Sequence, residues 1–404
     1  MSTYSNISER HKNMLNILRY IMRTGEVSAN DITQATGLSF ATISRVLALL
    51  LEAKYIVKCG KTCTEMGRHP EVFAFNNKCG YLVHFFIETD SISAWIADLG
   101  KHIAAKASRK IARDITLEEL ADKFAELVSS LTERHSIDRS QVLAASIAVP
   151  GLVDDKNHVI RRIPNLSGLN DKDLRRQIME ILGIPVLISN EARFCALGEK
   201  ICSFPYVDDI AYVDITKYSG IGAGILLNGQ IFNGKNGVAG ELGDIIIDTR
   251  NLDYEYREQE GCLETLAGLA TLYRKCEHLI GEGNAPFLGQ ELKDGPLEFN
   301  MIERAVSKDP AVEAVYDETV RMWSIAIINI ISILNPELII LGGVLDSHNR
   351  KTLDRIDHYV KKAVYHDVHI RLTTMGEKAQ LYGGLDMLAS YTFETIITEK
   401  ILGI

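Results

Sequence analysis

No apolar run in this chain is long enough to cross a bilayer. The longest, residues 323–334, is interrupted by Ser324, Asn329 and Ser332 and stops at Asn335-Pro336-Glu337, short of the roughly 20 residues a membrane-spanning helix needs. The first residues, MSTYSNISERHKN, carry no apolar segment of the secretory type. A cytoplasmic protein with no membrane partner is expected. Cysteine offers no framework either: the seven, Cys59, Cys63, Cys79, Cys195, Cys202, Cys262 and Cys276, are odd in number and irregular in spacing, as suits free thiols in a reducing compartment. Cys59 and Cys63 have no second ligand pair at finger spacing, which removes the simplest structural zinc.

What is present is an ordinary globular composition, 46% hydrophobic and 24% charged over 404 residues, enough for two or three domains. The charge is unevenly placed. Residues 1–78 hold ten Lys+Arg and six Asp+Glu, net +4, while the remainder carries 34 and 47, net −13. A basic head on an acidic body points to a polyanionic partner for the head alone.

The head reads as three helices and a hairpin. Met14, Leu15, Leu18, Ile21 and Met22 follow helical spacing, Ser28 with Asp31 forms a capping-box pattern, and Thr36-Gly37-Leu38-Ser39 turns into a third helix capped by Ser39. On that helix Ile43, Val46, Leu47 and Leu50 face inward, which leaves Ser39, Ala41, Thr42 and Arg45 outside. This is the helix-turn-helix pattern, with those four residues toward a major groove. Two short strands, 55–57 and 72–75, flank the polar stretch CGKTCTEMGRHP as a wing, whose Arg68 and His69 can reach a minor groove or phosphates. A protein-interaction module also fits three helices and a hairpin; positive charge and the small, polar outer face of the third helix favour duplex DNA.

From about residue 80 the texture is α/β. Strands are expected at 81–87, 91–97, 142–149, 185–188 and 338–341, and helices at 117–135, 172–182, 192–201, 263–280, 297–306 and 311–334, with Tyr382-Gly383-Gly384-Leu385 opening a last helix. The centre is 209–264: a strand at 210–215, a glycine turn at 219–224, a strand at 225–227, then Asn228-Gly229, a hairpin signal. Gly234, Gly237, Gly240 and Gly243 follow around the lone acid Glu241, an arrangement that suits hydroxyl recognition, with an ordinary hairpin and long loop as the alternative.

GVAGELGD followed by GCLE resembles the signature of the ROK family of repressors, uncharacterised reading frames and sugar kinases, and SANDITQATGLSFATISRVLALLLEAKYIV with GRHP resembles the winged helix of its repressors. The resemblance spans nearly the whole chain. It implies a winged helix-turn-helix domain at 1–78 and, at 79–404, a two-lobed actin-like or hexokinase-like (ribonuclease H-like) domain; periodicity alone gives only a mixed α/β sheet. By the same resemblance the sugar-contacting positions are Asn165, Asn190, Glu191, Glu241, Asp244 and Glu264.

The departures decide the expected function. Where family kinases carry D-x-G-G-T, this chain has Phe86-Ile87-Glu88-Thr89-Asp90, placing carboxylates where phosphates would sit. Tyr218 crowds the second phosphate loop, and Glu191 replaces the catalytic Asp with a side chain about 1 Å longer. At the family's zinc places stand Asp244, Glu255, Arg257 and Cys262; arginine is no ligand, so no metal cofactor is expected. The expectation is a DNA-binding regulator of carbohydrate metabolism without catalytic residues, a homodimer or homotetramer on an operator, sensing a small carbohydrate. A sugar kinase with an appended head and a ligand-free DNA-binding protein are the competing readings.

Overall fold

The computed structural model describes residues 9–61, 70–154, 159–163, 166–216, 220–248, 262–292 and 295–403. The chain opens with α1 (Glu9–Thr24), which buries Met14, Leu15, Ile17, Leu18 and Ile21. β1 (Val27–Ser28) leads into α2 (Ala29–Thr36), where the capping box forms as expected: Asp31 Oδ2 accepts from the Ser28 amide at 2.8 Å and Ser28 Oγ accepts from the Asp31 amide at 3.3 Å. Gly37 closes α2 in the left-handed region at φ 69°. After Leu38 and Ser39, α3 (Phe40–Glu52) departs at 120° to α2, which fits a helix-turn-helix. β2 (Ile56–Lys61) and β3 (Glu71–Phe75) pair antiparallel in a three-stranded sheet of order β1-β3-β2. Arg68 and His69, on the connection between them, lie outside the described residues.

Two sheets of one design follow. The first comprises β4 (Tyr81–Ile87), β5 (Ser91–Asp98), β6 (Ile103–Lys110), β7 (Val142–Val149) and β10 (Val186–Asn190), with α4 (Leu117–Arg134) and α5 (Leu174–Leu182) as crossovers and a separate ribbon of β8 (Leu152–Asp154) and β9 (Val159–Arg162). Its order is β6-β5-β4-β7-β10. α6 (Glu191–Cys202) crosses to the second sheet, built from β11 (Ile210–Thr216), β12 (Gly220–Leu227), β13 (Gln230–Ile231), β14 (Leu338–Gly343) and β15 (His369–Leu372) in the order β13-β12-β11-β14-β15. In each sheet the second strand runs antiparallel to its neighbours while the first, fourth and fifth are parallel. The repeated order is the duplicated actin-like fold. Between β13 and β14 stand α7 (Cys262–Ala267), α8 (Leu269–Gly281), α9 (Pro286–Glu291), α10 (Phe299–Ala305) and α11 (Pro310–Leu334), and α12 (Arg350–Ala363) joins β14 to β15. No single described helix is long and apolar enough to cross a membrane.

The last helix runs further than its glycines suggest. α13 (Lys378–Tyr391) continues through a π-helical turn, Thr392–Ile397, into α14 (Thr398–Leu402). Gly383 and Gly384 sit inside α13 rather than opening it, because the helix packs backbone to backbone against α6: a Cβ on Gly383 would collide with the Phe194 carbonyl, and one on Gly198 with that of Ala379. We expect Gly383→Ala to lower the unfolding free energy by about 1–3 kcal/mol, read as a lower urea midpoint at constant m-value; an unchanged midpoint would mean that this contact relaxes freely. Glu199 on α6 reinforces the joint, accepting hydrogen bonds from the Thr374 amide and hydroxyl at 2.9 and 3.0 Å. At its far end the same continuous helix enters the head. Leu388, Phe393, Ile397, Ile401 and Leu402 share one hydrophobic cluster with Leu15, Leu18 and Ile21 of α1, and Arg19 pairs with Glu394 at 2.7 Å.

Further expectations are corrected. The glycines at 220, 222 and 224 lie within β12 instead of forming a turn. The expected helix 263–280 is two helices, α7 and α8, broken where Gly268 takes an extended conformation, ψ 153°. β1, β6, β8, β9, β13, β15, α9 and α12 were not anticipated.

Candidate functional site

On the head, Ser39 caps α3: its Oγ accepts from the Thr42 amide at 3.2 Å and lies 2.9 Å from Thr42 Oγ1. Both hydroxyls are therefore engaged first in the helix start. Ala41 and Arg45 are exposed on the same face, with Ser44 and Ala48. Phe40, the first residue of α3, is 57% exposed, and the sequence reading passed over it. A buried role was refused to it because the helix turns its inner face at Ile43.

The body's site is a cleft between the two sheets, roofed by the start of α6. Asn190 positions that start. Its Oδ1 accepts from the Ala192 amide at 2.8 Å as the helix cap, and its Nδ2 donates to the Gly151 carbonyl at 2.7 Å. Glu191 follows as the first helical residue, 7% exposed. A compartment of about 40 Å³ joins Asn190, Glu191, Asp214, Glu241 and Arg162, and shares Glu191, Asp214 and Thr216 with a neighbouring compartment of about 400 Å³.

Alternation along β11 explains the lining. Tyr212, Asp214 and Thr216 project to one face, and their partners across β12 are Gly224, Gly222 and Gly220; on the other side Asp214 faces Gly342 of β14. The glycine run thus clears space beside the three side chains. At Gly224 it also admits α6, since a Cβ there would strike the Ala192 carbonyl, whereas at Gly222 a Cβ would meet nothing within 4 Å. Gly222→Val should therefore fold normally, fill the space next to Asp214 and abolish ligand-induced stabilisation. A valine variant that still responds to ligand would remove this space from the site.

The acids of the cleft contrast with those elsewhere in the core. Buried Glu303 accepts from Thr352 and Asn349, and buried Asp309 from the Phe287 and Leu288 amides. Asp214 is equally buried at 6% exposure, yet neither it nor Glu241 has a hydrogen bond to its carboxylate among the described residues. Burial pushes the Asp214 carboxyl up to about 7. Glu241 also rises to about 7, through burial first and the neighbouring Asp244 second, against the opposing pull of Arg193 and Arg162. Asp244 is raised by burial and held down by Arg162. Arg193, 1% exposed, donates to the Gly237 carbonyl at 2.5 Å and the Ala239 carbonyl at 3.3 Å, pinning the loop that carries Glu241.

The structure thus gathers Asn190, Glu191, Glu241 and, beside it, Asp244. Glu264 stands apart: its Oε2 accepts from the Ile221 amide at 2.7 Å, tying α7 to the start of β12. Asn165 lies outside the described residues, as do Glu255 and Arg257. Asp214, Arg162 and Arg193 escaped the sequence reading; a single acid in an otherwise apolar strand was the available signal for the first. No group of three His, Cys, Asp or Glu is arranged for a metal among the described residues.

A three-helix head that fits a helix-turn-helix, set on two like-ordered sheets around an acid-lined cleft, defines a class: a regulator-like head on an actin-like, hexokinase-like body. Residues 88–389 match the model of the ROK family, and the chain belongs to that family. It is 25% identical over 386 residues to a xylose repressor of Caldicellulosiruptor bescii, covering 94% of this chain and 95% of that protein. To the xylose repressor of Bacillus subtilis it is 27% identical over 338 residues, 82% of each. The crystal structure of a ROK family transcriptional regulator, a homolog of the Escherichia coli MLC protein, superposes with a TM-score of 0.78 at 22% identity, covering 98% of this chain and 100% of that one. That likeness establishes the fold.

Proposed function

We propose that the chain is a transcriptional repressor that binds an operator through its head, residues 1–78, and senses a carbohydrate in its body, residues 79–404, without phosphorylating it. The observation that carries the reading is the continuity of the last helix: Gly376, Glu377 and Gln380 at its start border the cleft, and its end belongs to the head's hydrophobic cluster. Ligand that favours one lobe arrangement shifts this helix and with it the paired recognition helices of a homodimer or homotetramer, changing their fit to two half-sites.

On the DNA side, Ala41, Thr42 and Arg45 face the major groove, with Ser39 at the helix start, Phe40 against thymine methyls and Arg68 and His69 from the wing. On the sugar side, Asn190, Glu191, Glu241 and Asp244, joined by Asp214 and, by the family resemblance, Asn165, receive vicinal hydroxyls, while Glu264 holds the floor. Asp214 and Glu241, whose carboxylates have no hydrogen bond among the described residues, suit this role, because each hydroxyl removes a desolvation cost of about 1–3 kcal/mol. The full-length relatives named xylose repressors make an aldopentose the first effector to test. No cofactor enters the reading, and a cytoplasmic setting follows from an operator partner.

Phosphoryl transfer is disfavoured by Glu88 and Asp90, which line the larger compartment where a polyphosphate would have to lie. A thermal-shift panel of free sugars, sugar phosphates and ATP tests both halves. A pentose at 100 times its Kd should add about 2.7 kcal/mol, with ATP silent and no turnover. Sugar phosphorylation abolished by Glu191→Gln would replace this reading with that of a kinase.

A further inference from the structure

The larger compartment, about 400 Å³, has a one-sided lining among the described residues: Glu88, Asp90, Glu191, Asp214 and Glu377 against one guanidinium, that of Arg113. The rest of its wall includes apolar surface from Phe86, Tyr212 and Val344. Glu88 is set in place by the Ser91 hydroxyl at 2.6 Å. Asp214, 6% exposed, faces the same space with no donor on its carboxylate among the described residues. An acid buried without donors is costly to keep, and a cation within reach relieves the cost.

We infer that this compartment binds a small organic cation, a primary ammonium on an apolar stem. The ammonium's three N–H donors meet carboxylates on separate elements, Asp214 on β11 and Glu88 and Asp90 at the turn between β4 and β5. The stem lies on Tyr212 and Phe86. A bare divalent ion would leave that apolar wall unused, and a polyphosphate is repelled by the acids that attract an ammonium. The site goes beyond the carbohydrate reading: it shares Glu191, Asp214 and Thr216 with the smaller compartment but draws Glu88, Asp90 and Glu377 from its own wall.

Calorimetric titration of the full chain with butylamine, alongside 1-butanol, magnesium chloride and ATP, tests the inference. Butylamine should bind and raise the melting temperature, and 1-butanol, of the same length without charge, should do neither. The double variant Asp90→Asn/Glu377→Gln, altered only at exposed positions, should keep the melting temperature of the unliganded protein and weaken butylamine by at least about tenfold. Xylose titrated separately bears on the carbohydrate reading alone. The inference is overturned if butylamine does not bind at millimolar concentration, if 1-butanol binds as well, if the double variant binds butylamine unchanged, or if magnesium or ATP binds in its place.

Discussion

Arg193→Met is expected to destabilise the protein by about 3–5 kcal/mol, the cost of removing one partner from a buried charge network. The guanidinium is 1% exposed and holds the Gly237 and Ala239 carbonyls of the loop that presents Glu241. Without it two carbonyls lose their donor, and Glu241 is left with Asp244 as a like-charged neighbour and only Arg162 opposing. Combining the change with Glu241→Gln should recover part of the loss, because the amide removes the uncompensated charge. Urea unfolding of the two variants and the parent checks this. A methionine variant with the parent's midpoint, or a double variant no better than the single, would show that the loop is held by other contacts.

Asp214→Asn should act in the opposite direction. The Asp214 carboxyl rises from 3.8 to about 7 on burial, so the native state holds its proton more tightly than the unfolded chain does. Its contribution to stability is therefore greatest below pH 4, falls as pH rises from about 4 to 7, and is constant above that. Roughly three pKa units correspond to at most about 4 kcal/mol, reduced by whatever water the cleft admits. The asparagine variant should thus be the more stable protein at pH 8, show a shallower decline between pH 4 and 7, and no longer be stabilised by sugar. Melting curves across that range decide it. A decline as steep as the parent's would show that other groups, Glu241 first among them, carry the whole effect.

Much of the head was legible because its signals are local. Ser28 with Asp31, Gly37 and Ser39 act within a few residues of themselves, and the inward set Ile43, Val46, Leu47 and Leu50 repeats at helical spacing. The parts of the body that went unread depend on distant neighbours. β6 is an edge strand that alternates exposed Ala104, Lys106, Ser108 and Lys110 with less exposed Ala105, Ala107 and Arg109, but alanines and an arginine on the inner face give it little apolar signal. β15 has only four residues. The glycines at 220, 222 and 224 resemble a turn in isolation; only the approach of α6 and the lateral space beside Tyr212 and Asp214 show why a strand is built from them. Gly383 and Gly384 misled in the same manner. Within the cleft, Glu241 announced itself by its glycine setting and Asn190-Glu191 by resemblance, while Arg193 and Arg162 matter through charges that sequence does not place beside them.

The central claim is that ligand in the cleft is read out at the head through the last helix. The most direct measurement is fluorescence anisotropy of a labelled duplex, selected from a random pool by the full-length protein, titrated with protein in the presence and absence of a sugar that raises its melting temperature. The account predicts that the sugar changes duplex affinity by about 5- to 150-fold, the usual span of coupling between two sites, and that Gly222→Val binds duplex normally but ignores the sugar. A sugar that binds the protein and leaves duplex affinity unchanged would contradict it.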